Sequence, residues 1–246
     1  MMRSTFIIFG GIGVARERSL WRNGCMDWND LPESGISASP RLRHEMEEAE
    51  NAFKSMDAVY FARRLRPAER WRLLFDFENS CAFVDIEMDG YGKYANPAIV
   101  GICRNNSYSF LLKGKDLNRK NIAEKLGDSK ILVFYNGARH DLRFLKRLFP
   151  DIEDSYAAVD LLPIANQLGL RGGLKKIERE LCIKRSRIVE LSVNGRAVQL
   201  WKSWTRTGRR AFLNMLTLYN SEDTCNLYPL SMKIRDMMCS EYMEGY

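Results

Sequence analysis

The sequence predicts an α/β fold: a mixed five-stranded sheet flanked by helices and preceded by a small helical segment. Three strand-like segments follow one another directly, and helical and strand-like patterns alternate after them. The predicted strands are 81–87, 97–103, 107–112, 130–135 and 156–159. Consecutive strands can pair as antiparallel hairpins, whereas strands separated by a helix form a parallel portion, so the sheet is expected to be mixed.

The region before the first strand predicts helices. Residues 16–31 predict one or two short helices after a glycine turn, and 40–80 are mostly helical and charged. We therefore expect a helical N-terminal region over 1–75 and a sheet-containing domain over 76–246. Within the latter, helices are predicted at 116–127 and 138–149.

The composition is typical of a globular protein and excludes several classes. The chain has 246 residues, of which 46% are hydrophobic and 28% charged. No apolar run reaches the roughly 18 to 20 residues that cross a bilayer, and no signal-peptide pattern opens the chain. Six scattered cysteines without a C-x-x-C pair, and only two histidines, argue against a disulfide framework or a zinc site. We expect a cytoplasmic protein with no membrane partner.

The positive charge is concentrated in one segment. The net charge is +7, yet residues 171–210 alone hold 12 Lys and Arg against 3 acids, a local balance of +9. Trp201 and Trp204 lie in the same segment, which suits a polyanion with faces for stacking, such as single-stranded DNA or RNA. The alternative is a solvated helical face. The candidate nucleic-acid contacts here are Lys175, Lys176, Arg185 and Trp204.

A glycine cluster near the N-terminus allows two interpretations. In "TFIIFGGIGVAR" the dinucleotide-binding pattern G-x-G-x-x-G fails, because Arg16 stands where the last glycine is needed. "GGIGVARERSLWRNG" instead resembles a helix-hairpin-helix motif, in which Gly11 and Gly13 would let backbone N–H groups approach a phosphate. The alternative is a small helical packing unit that binds nothing.

The first strand, in "CAFVDIEMDG", carries clustered acids. Side chains in a strand alternate between its two faces, so Asp85 and Glu87 point the same way and repel each other. Such a pair predicts a cation at this place.

Two later segments carry acids in comparable settings. In "ILVFYNGARHDLRFL", Asn136 and Gly137 turn the chain after a buried strand, and Asp141 falls in the first turn of the next helix. Because strand ends in an α/β sheet share one crevice, this acid could meet the first pair there, although an acid in a first turn is commonly only a helix cap. In "LTLYNSEDTCNLYPL", Tyr219 and Asp223 are four apart and share a helix face. A buried carboxylate is costly unless it has a partner or ligates a cation.

Two polar residues near the predicted ends of the fourth and fifth strands have simpler predicted roles. Asp160 in "AVDLLPIA" is favoured as the N-cap of the following helix over a metal ligand, and His140 as an exposed or packed histidine over a residue that assists proton transfer.

Together the acids resemble a known set of motifs. Asp85-x-Glu87, Asp141 after the Asn-Gly turn, and Tyr219-x-x-x-Asp223 are similar to the three exonuclease motifs of the tyrosine variant of the DEDD superfamily, on a ribonuclease-H-like fold. The resemblance covers residues 81 to about 232. With the N-terminal hairpin, "GGLKKIERELCI" and "WTRTG", it points to a prokaryotic branch of predicted nucleases. It implies 3′→5′ cleavage, with Asn136 near the substrate.

Phosphodiester cleavage explains these residue types. The reaction needs an aimed hydroxide and positive charge over the phosphoryl oxygens, which two Mg²⁺ or Mn²⁺ ions held by carboxylates provide. Asp85 is expected to bridge both ions, Glu87 and Asp223 to complete one site, and Asp141 to hold the other through water. Tyr219 is expected to orient the attacking water.

Two other functional classes stay open at this point. One is a non-catalytic nucleic-acid-binding module that keeps the fold, and the other is a phosphoesterase for small nucleotides. The choice between DNA and RNA and the oligomeric state are likewise open.

Overall fold

The computed structural model describes residues 1–34, 39–138, 140–187 and 197–243. The strands of the described part are β1 (Cys81–Met88), β2 (Pro97–Arg104), β3 (Ser107–Leu112), β4 (Ile131–Phe134) and β5 (Ala157–Asp160). They form one sheet in the order β3-β2-β1-β4-β5, with β1, β2 and β3 antiparallel and β1, β4 and β5 parallel. The predicted mixed five-stranded α/β sheet is confirmed.

The α-helices before the sheet are α1 (Val14–Arg22), α2 (Pro40–Lys54), α3 (Ala58–Arg64) and α4 (Leu73–Asp76), with short 3₁₀ segments at Met2–Ser4, Trp28–Glu33, Pro67–Arg72 and Glu78–Ser80. Later helices are α5 (Arg119–Leu126), α6 (Asp141–Leu148), α7 (Ile152–Ser155), α8 (Leu161–Gln167), α9 (Leu174–Glu180), α10 (Ala197–Thr207), α11 (Arg210–Cys225) and α12 (Leu227–Met243). None of the described helices is long and apolar enough to cross a membrane.

Capping residues set the helix bounds more tightly than the sequence pattern does. The helix predicted over 116–127 begins at Arg119, because the Asn118 side chain accepts a hydrogen bond from the Asn121 backbone N–H. The helix predicted over 138–149 begins at Asp141, because the chain first turns through Asn136, whose φ is 58°. Asp160 caps α8 by accepting from the Leu162 N–H, which confirms its predicted role.

The two faces of β1 pack against different helices. Val84 and Ile86 join a core with residues of α5 and α6. Phe83 faces the other way and packs in a core that includes Leu230 of α12. Since side chains alternate with a period of two, Asp85 lies on the Phe83 side of the sheet.

The N-terminal helices and the sheet share hydrophobic contacts. Trp28, Phe61 and Trp71 belong to the same buried cluster as Phe83 and Val133. The predicted division into 1–75 and 76–246 stays a prediction.

Candidate active site

Three carboxylates meet above the carboxyl-terminal half of β1. Asp85 and Glu87 come from β1 and Asp223 from α11, and each offers an oxygen within 4.8 Å of the others. The register between β1 and β2 shifts between Glu87 and Met88, so regular pairing ends just beyond the two acids. The strand period and the packing of α11 on β1 thus build the cluster.

Asp141 lies beside this cluster without belonging to its closest group. It is the first residue of α6, and its Oδ2 would be 2.7 Å from a Cβ at Gly137, so the turn after β4 holds it close. Asp160 organises that turn, since it accepts from the backbone N–H groups of Asn136 at 2.7 Å and Ala138 at 3.0 Å. Asp141 is near enough to Glu87 for its charge to raise the Glu87 pKa.

The half-buried carboxylates Asp85, Glu87 and Asp141 hold their protons more tightly than free carboxylates do. Burial, followed by the charges of Glu87 and Asp223, raises the pKa of Asp85 well above its usual range. Burial and the charges of Asp223 and Asp141 raise the pKa of Glu87 to about 8, although Lys175 opposes the shift. Burial and then the charge of Asp85 likewise raise the pKa of Asp141. The site therefore carries more negative charge than its own surroundings neutralise.

Tyr219 lies one helical turn before Asp223 and faces the same cluster. Burial and the charges of Asp223 and Glu87 raise its pKa, so the phenol stays protonated and can donate a hydrogen bond at neutral pH. The Lys175 ammonium lies 4.4 Å from the centre of the Tyr219 ring. This cation–π contact joins α9 to the site.

Arg185 brings a positive charge to the inner side of the site. Its side chain is only 4% exposed, and its guanidinium is paired through two nitrogens with Glu178. A third nitrogen, Nη1, lies 2.5 Å from Asp223 Oδ1, in an ion pair without the alignment of a hydrogen bond. The predicted role of Arg185 as a phosphate contact would require this ion pair to open.

Asn220 connects β1 to β3 beneath the acids. Its Nδ2 donates to Asp85 Oδ2 at 2.8 Å, and the Tyr108 hydroxyl donates to its Oδ1 at 2.7 Å. Sequence reasoning missed both residues. The only local signal is that Asn220 follows Tyr219, and nothing in the pattern points to Tyr108, which is 112 positions away.

An open cleft of about 460 Å³ reaches Asp223 and Tyr219. Lys175, Lys176 and Arg179 of α9 line one side, and Tyr219 and Asp223 line the other. Lys176 is exposed and pairs with Glu180 at 3.4 Å. Two of the lysines predicted to contact nucleic acid therefore border the predicted catalytic residues.

The other predicted contacts, Asn136 and Trp204, are not among the residues that line this cleft. Asn136 is exposed in the turn after β4. Trp204 is half-buried against Trp201, with ring centres 5.0 Å apart, and Lys115 lies 5.4 Å from the Trp204 ring centre.

In the N-terminal turn, Gly11 is exposed with a φ of 81°, and Gly13 is the N-cap of α1. A turn without α-helix precedes these glycines, and the helix-hairpin-helix interpretation stays a prediction. His140 is exposed, as expected.

The donor set fits a hard divalent cation. All the ligand atoms in the cluster are carboxylate oxygens, which Mg²⁺ and Mn²⁺ prefer. Asp223 Oδ1 is buried and accepts no hydrogen bond from the described residues. That oxygen has one cationic neighbour, Arg185 Nη1 at 2.5 Å, and this single charge leaves the repulsion among the three carboxylates for a divalent cation to neutralise.

Comparisons with known proteins agree with this geometry at the level of the family. The RNase_H_2 family model, described as RNase_H superfamily, matches residues 82–235, more than half of the chain. Neither the curated proteins nor the solved structures include a match to the chain. The matched segment contains the whole sheet from the second residue of β1 onward, together with all five predicted catalytic residues. The chain belongs to the RNase H superfamily.

Proposed function

We propose that the protein is a divalent-metal-dependent exonuclease that hydrolyses single-stranded nucleic acid from the 3′ end. The observation that carries the proposal is the group formed by Asp85, Glu87 and Asp223, whose oxygens lie within 4.8 Å of one another beside the phenol of Tyr219. The superfamily suggests nuclease-like activity. The tyrosine four residues before an acid favours the tyrosine variant of the DEDD exonucleases.

Each side chain has a role that its surroundings support. Asp85, Glu87 and Asp223 would hold the cations, and Asp141 adds a fourth carboxylate beside them. When bound, two Mg²⁺ or Mn²⁺ ions would supply positive charge over the phosphoryl oxygens and a nucleophile at neutral pH. Tyr219 donates a hydrogen bond that orients the attacking water, because its raised pKa keeps the phenol protonated.

The substrate follows the basic side of the cleft. Lys175 and Lys176 border the acids and attract the phosphates, while Trp204 offers a face for a base. Asn136 lies in the exposed turn next to Asp141 and contacts the nucleotide end. At the N-terminus, Gly11 and Gly13 form a second phosphate contact of the helix-hairpin-helix type, since both are exposed and Gly13 is the N-cap of α1.

The deciding experiment uses single-stranded DNA and RNA, each labelled at one end or the other, with purified protein and Mn²⁺. We expect stepwise shortening from the 3′ end, and EDTA should stop it. Early release of a labelled 5′ mononucleotide would reverse the polarity. Binding without any hydrolysis would favour the non-catalytic module, and turnover of small nucleotides without salt-sensitive polymer binding would favour the phosphoesterase.

Replacing Tyr219 by phenylalanine separates its role from that of the carboxylates. Tyr219→Phe keeps the ring and all four acids, so Mn²⁺ affinity should be retained while the rate falls roughly 10- to 1000-fold. Asp85→Asn is the matched comparison, because it should lose both the activity and the cation. Turnover by Tyr219→Phe within about twofold of wild type would remove the tyrosine from the mechanism.

A further inference from the structure

The Asp85 carboxylate accepts a hydrogen bond from a side chain that lies outside the acidic motifs, Asn220. Asn220 is fully buried, and its Nδ2 donates both to Asp85 Oδ2 at 2.8 Å and to the Asp85 backbone carbonyl at 3.2 Å. Both acceptors belong to one residue, so the amide ties the side chain of Asp85 to its own main chain. The other carboxylate oxygen, Oδ1, is not held by this hydrogen bond.

The orientation of the Asn220 amide is itself fixed. The Tyr108 hydroxyl donates to Asn220 Oδ1 at 2.7 Å, which leaves Nδ2 to face Asp85. A hydroxyl on β3, an amide on α11 and a carboxylate on β1 thus form one chain of hydrogen bonds across the sheet. Because the Asp85 backbone carbonyl can only accept, reversing the amide would set Asn220 Oδ1 against that oxygen and lose the hydrogen bond to the main chain.

Gly101 leaves the space that this arrangement needs. It pairs with Asp85 across β1 and β2, and a Cβ at this position would lie 2.0 Å from Asn220 Oδ1 and 2.6 Å from Thr224 Oγ1. Its φ is not in the left-handed region, so glycine is needed for close approach and not for an unusual backbone conformation. The sheet is therefore shaped to receive the Asn220 side chain.

We propose that Asn220 is a positioning residue that holds the Asp85 carboxylate in the orientation needed to bind a divalent cation, and that Tyr108 acts through Asn220. The inference rests on the proposed function, since it assigns Asp85 as a cation ligand. Side chains that hydrogen-bond a metal ligand orient it, and their loss typically lowers metal affinity about 10- to 100-fold. Without the amide, Asp85 would have to be ordered by the cation itself.

The test measures Mn²⁺ affinity, from the electron paramagnetic resonance signal of free Mn²⁺, together with the melting temperature in EDTA. Asn220→Ala should raise the Kd for Mn²⁺ about 10- to 100-fold. Asn214→Ala, an exposed asparagine on the same helix, is the matched control and should leave the Kd unchanged. A merely structural role would lower the melting temperature of Asn220→Ala while leaving the Kd of the folded protein as in wild type.

Tyr108→Phe removes only the hydroxyl, and it decides the question if Asn220→Ala does not fold. Alone it should raise the Kd by a smaller factor, and in the Asn220→Ala background it should add nothing, because the two residues act in series. A Kd within about twofold of wild type for whichever variant folds would overturn the inference alone. Absence of Mn²⁺ binding by the wild type would overturn the proposed function and this inference with it.

Discussion

Replacing Glu87 by glutamine is expected to stabilise the metal-free protein above neutral pH and to weaken its binding of divalent cations. Glu87 lies between the charges of Asp223 and Asp141, and burial is the largest cause of its raised pKa. Glutamine keeps the volume of the side chain and removes the charge. The change therefore relieves repulsion that a bound cation would otherwise neutralise.

The magnitude follows from the difference in pKa between the folded and unfolded chain. The pKa of Glu87 rises from 4.5 to about 8 on folding, and each unit corresponds to about 1.4 kcal/mol. Because the folded protein holds this proton more tightly, the stabilising contribution is fully present below about pH 4.5 and is lost as the pH rises through about 8. The full loss is on the order of 5 kcal/mol. Since protonation of Asp85 relieves the same repulsion, we expect a gain of roughly 2 to 4 kcal/mol for Glu87→Gln above that pH.

Urea unfolding in EDTA at about pH 5 and pH 8.5 measures this effect. The free energies of unfolding of wild type and Glu87→Gln should differ little at the lower pH and should favour the variant at the higher one. Glu124→Gln, an exposed glutamate on α5, is the matched control and should show no such pH-dependent gain. Added Mn²⁺ should stabilise the wild type more than the variant, since a ligand stabilises the state that binds it.

Two results would refute this reasoning. One is a Glu87→Gln protein that is no more stable than wild type at pH 8.5 in EDTA. The other is a difference of equal size at both pH values, because an effect that does not depend on pH cannot come from the ionisation of Glu87.

Three further predictions concern residues around the acids. Arg185→Met should lower the free energy of unfolding by about 3 to 5 kcal/mol, because it leaves the buried Glu178 carboxylate unpaired. Urea unfolding at pH 7 measures the loss, and an unchanged urea midpoint would contradict the prediction. Gly101→Ala should lower the melting temperature through a steric clash that costs about 1 to 3 kcal/mol. Gly90→Ala is the control, because a Cβ at that position would have no neighbouring atom within 4 Å. Equal melting temperatures for the two variants would contradict the close packing at Gly101. Replacing Lys175 and Lys176 by alanine should weaken binding to single strands of any sequence. The slope of the logarithm of affinity against the logarithm of salt concentration should become shallower by roughly 0.7 per lost phosphate contact, and an unchanged slope would assign both lysines to a solvated face.

The parts of the fold that follow from local periodicity could be predicted from the sequence. Strand alternation placed Asp85 and Glu87 on one face, and the helical repeat placed Tyr219 next to Asp223. The strands β1, β2 and β4 lie where their apolar segments predict them, because residues rich in β-branched and aromatic side chains favour the extended conformation. Helix ends were less predictable. The start of α5 depends on one capping side chain, Asn118, and the start of α6 depends on the positive φ of Asn136, which few residue types adopt.

The partners of the site residues could not be predicted, because the residue type shows the charge of a side chain but not whether that side chain is buried or exposed. Arg185 belongs to the basic segment and was expected at a phosphate, yet it is buried between Glu178 and Asp223. Its neighbours Lys175 and Lys176 have the same charge and border the open cleft. What distinguishes these residues is the packing around each one.

Residue spacing alone predicts a mixed α/β sheet with acids on one strand, at one helix start and on one helix face, because the strand and helix periods decide which side chains point the same way. The contacts by which Asn220 and Tyr108 hold Asp85, and the space that Gly101 leaves for Asn220, arise from the packing of distant segments. Those contacts join positions more than 100 residues apart, and they depend on how closely α11 packs on the sheet. Packing at that distance is a property of the whole core, which no local pattern encodes.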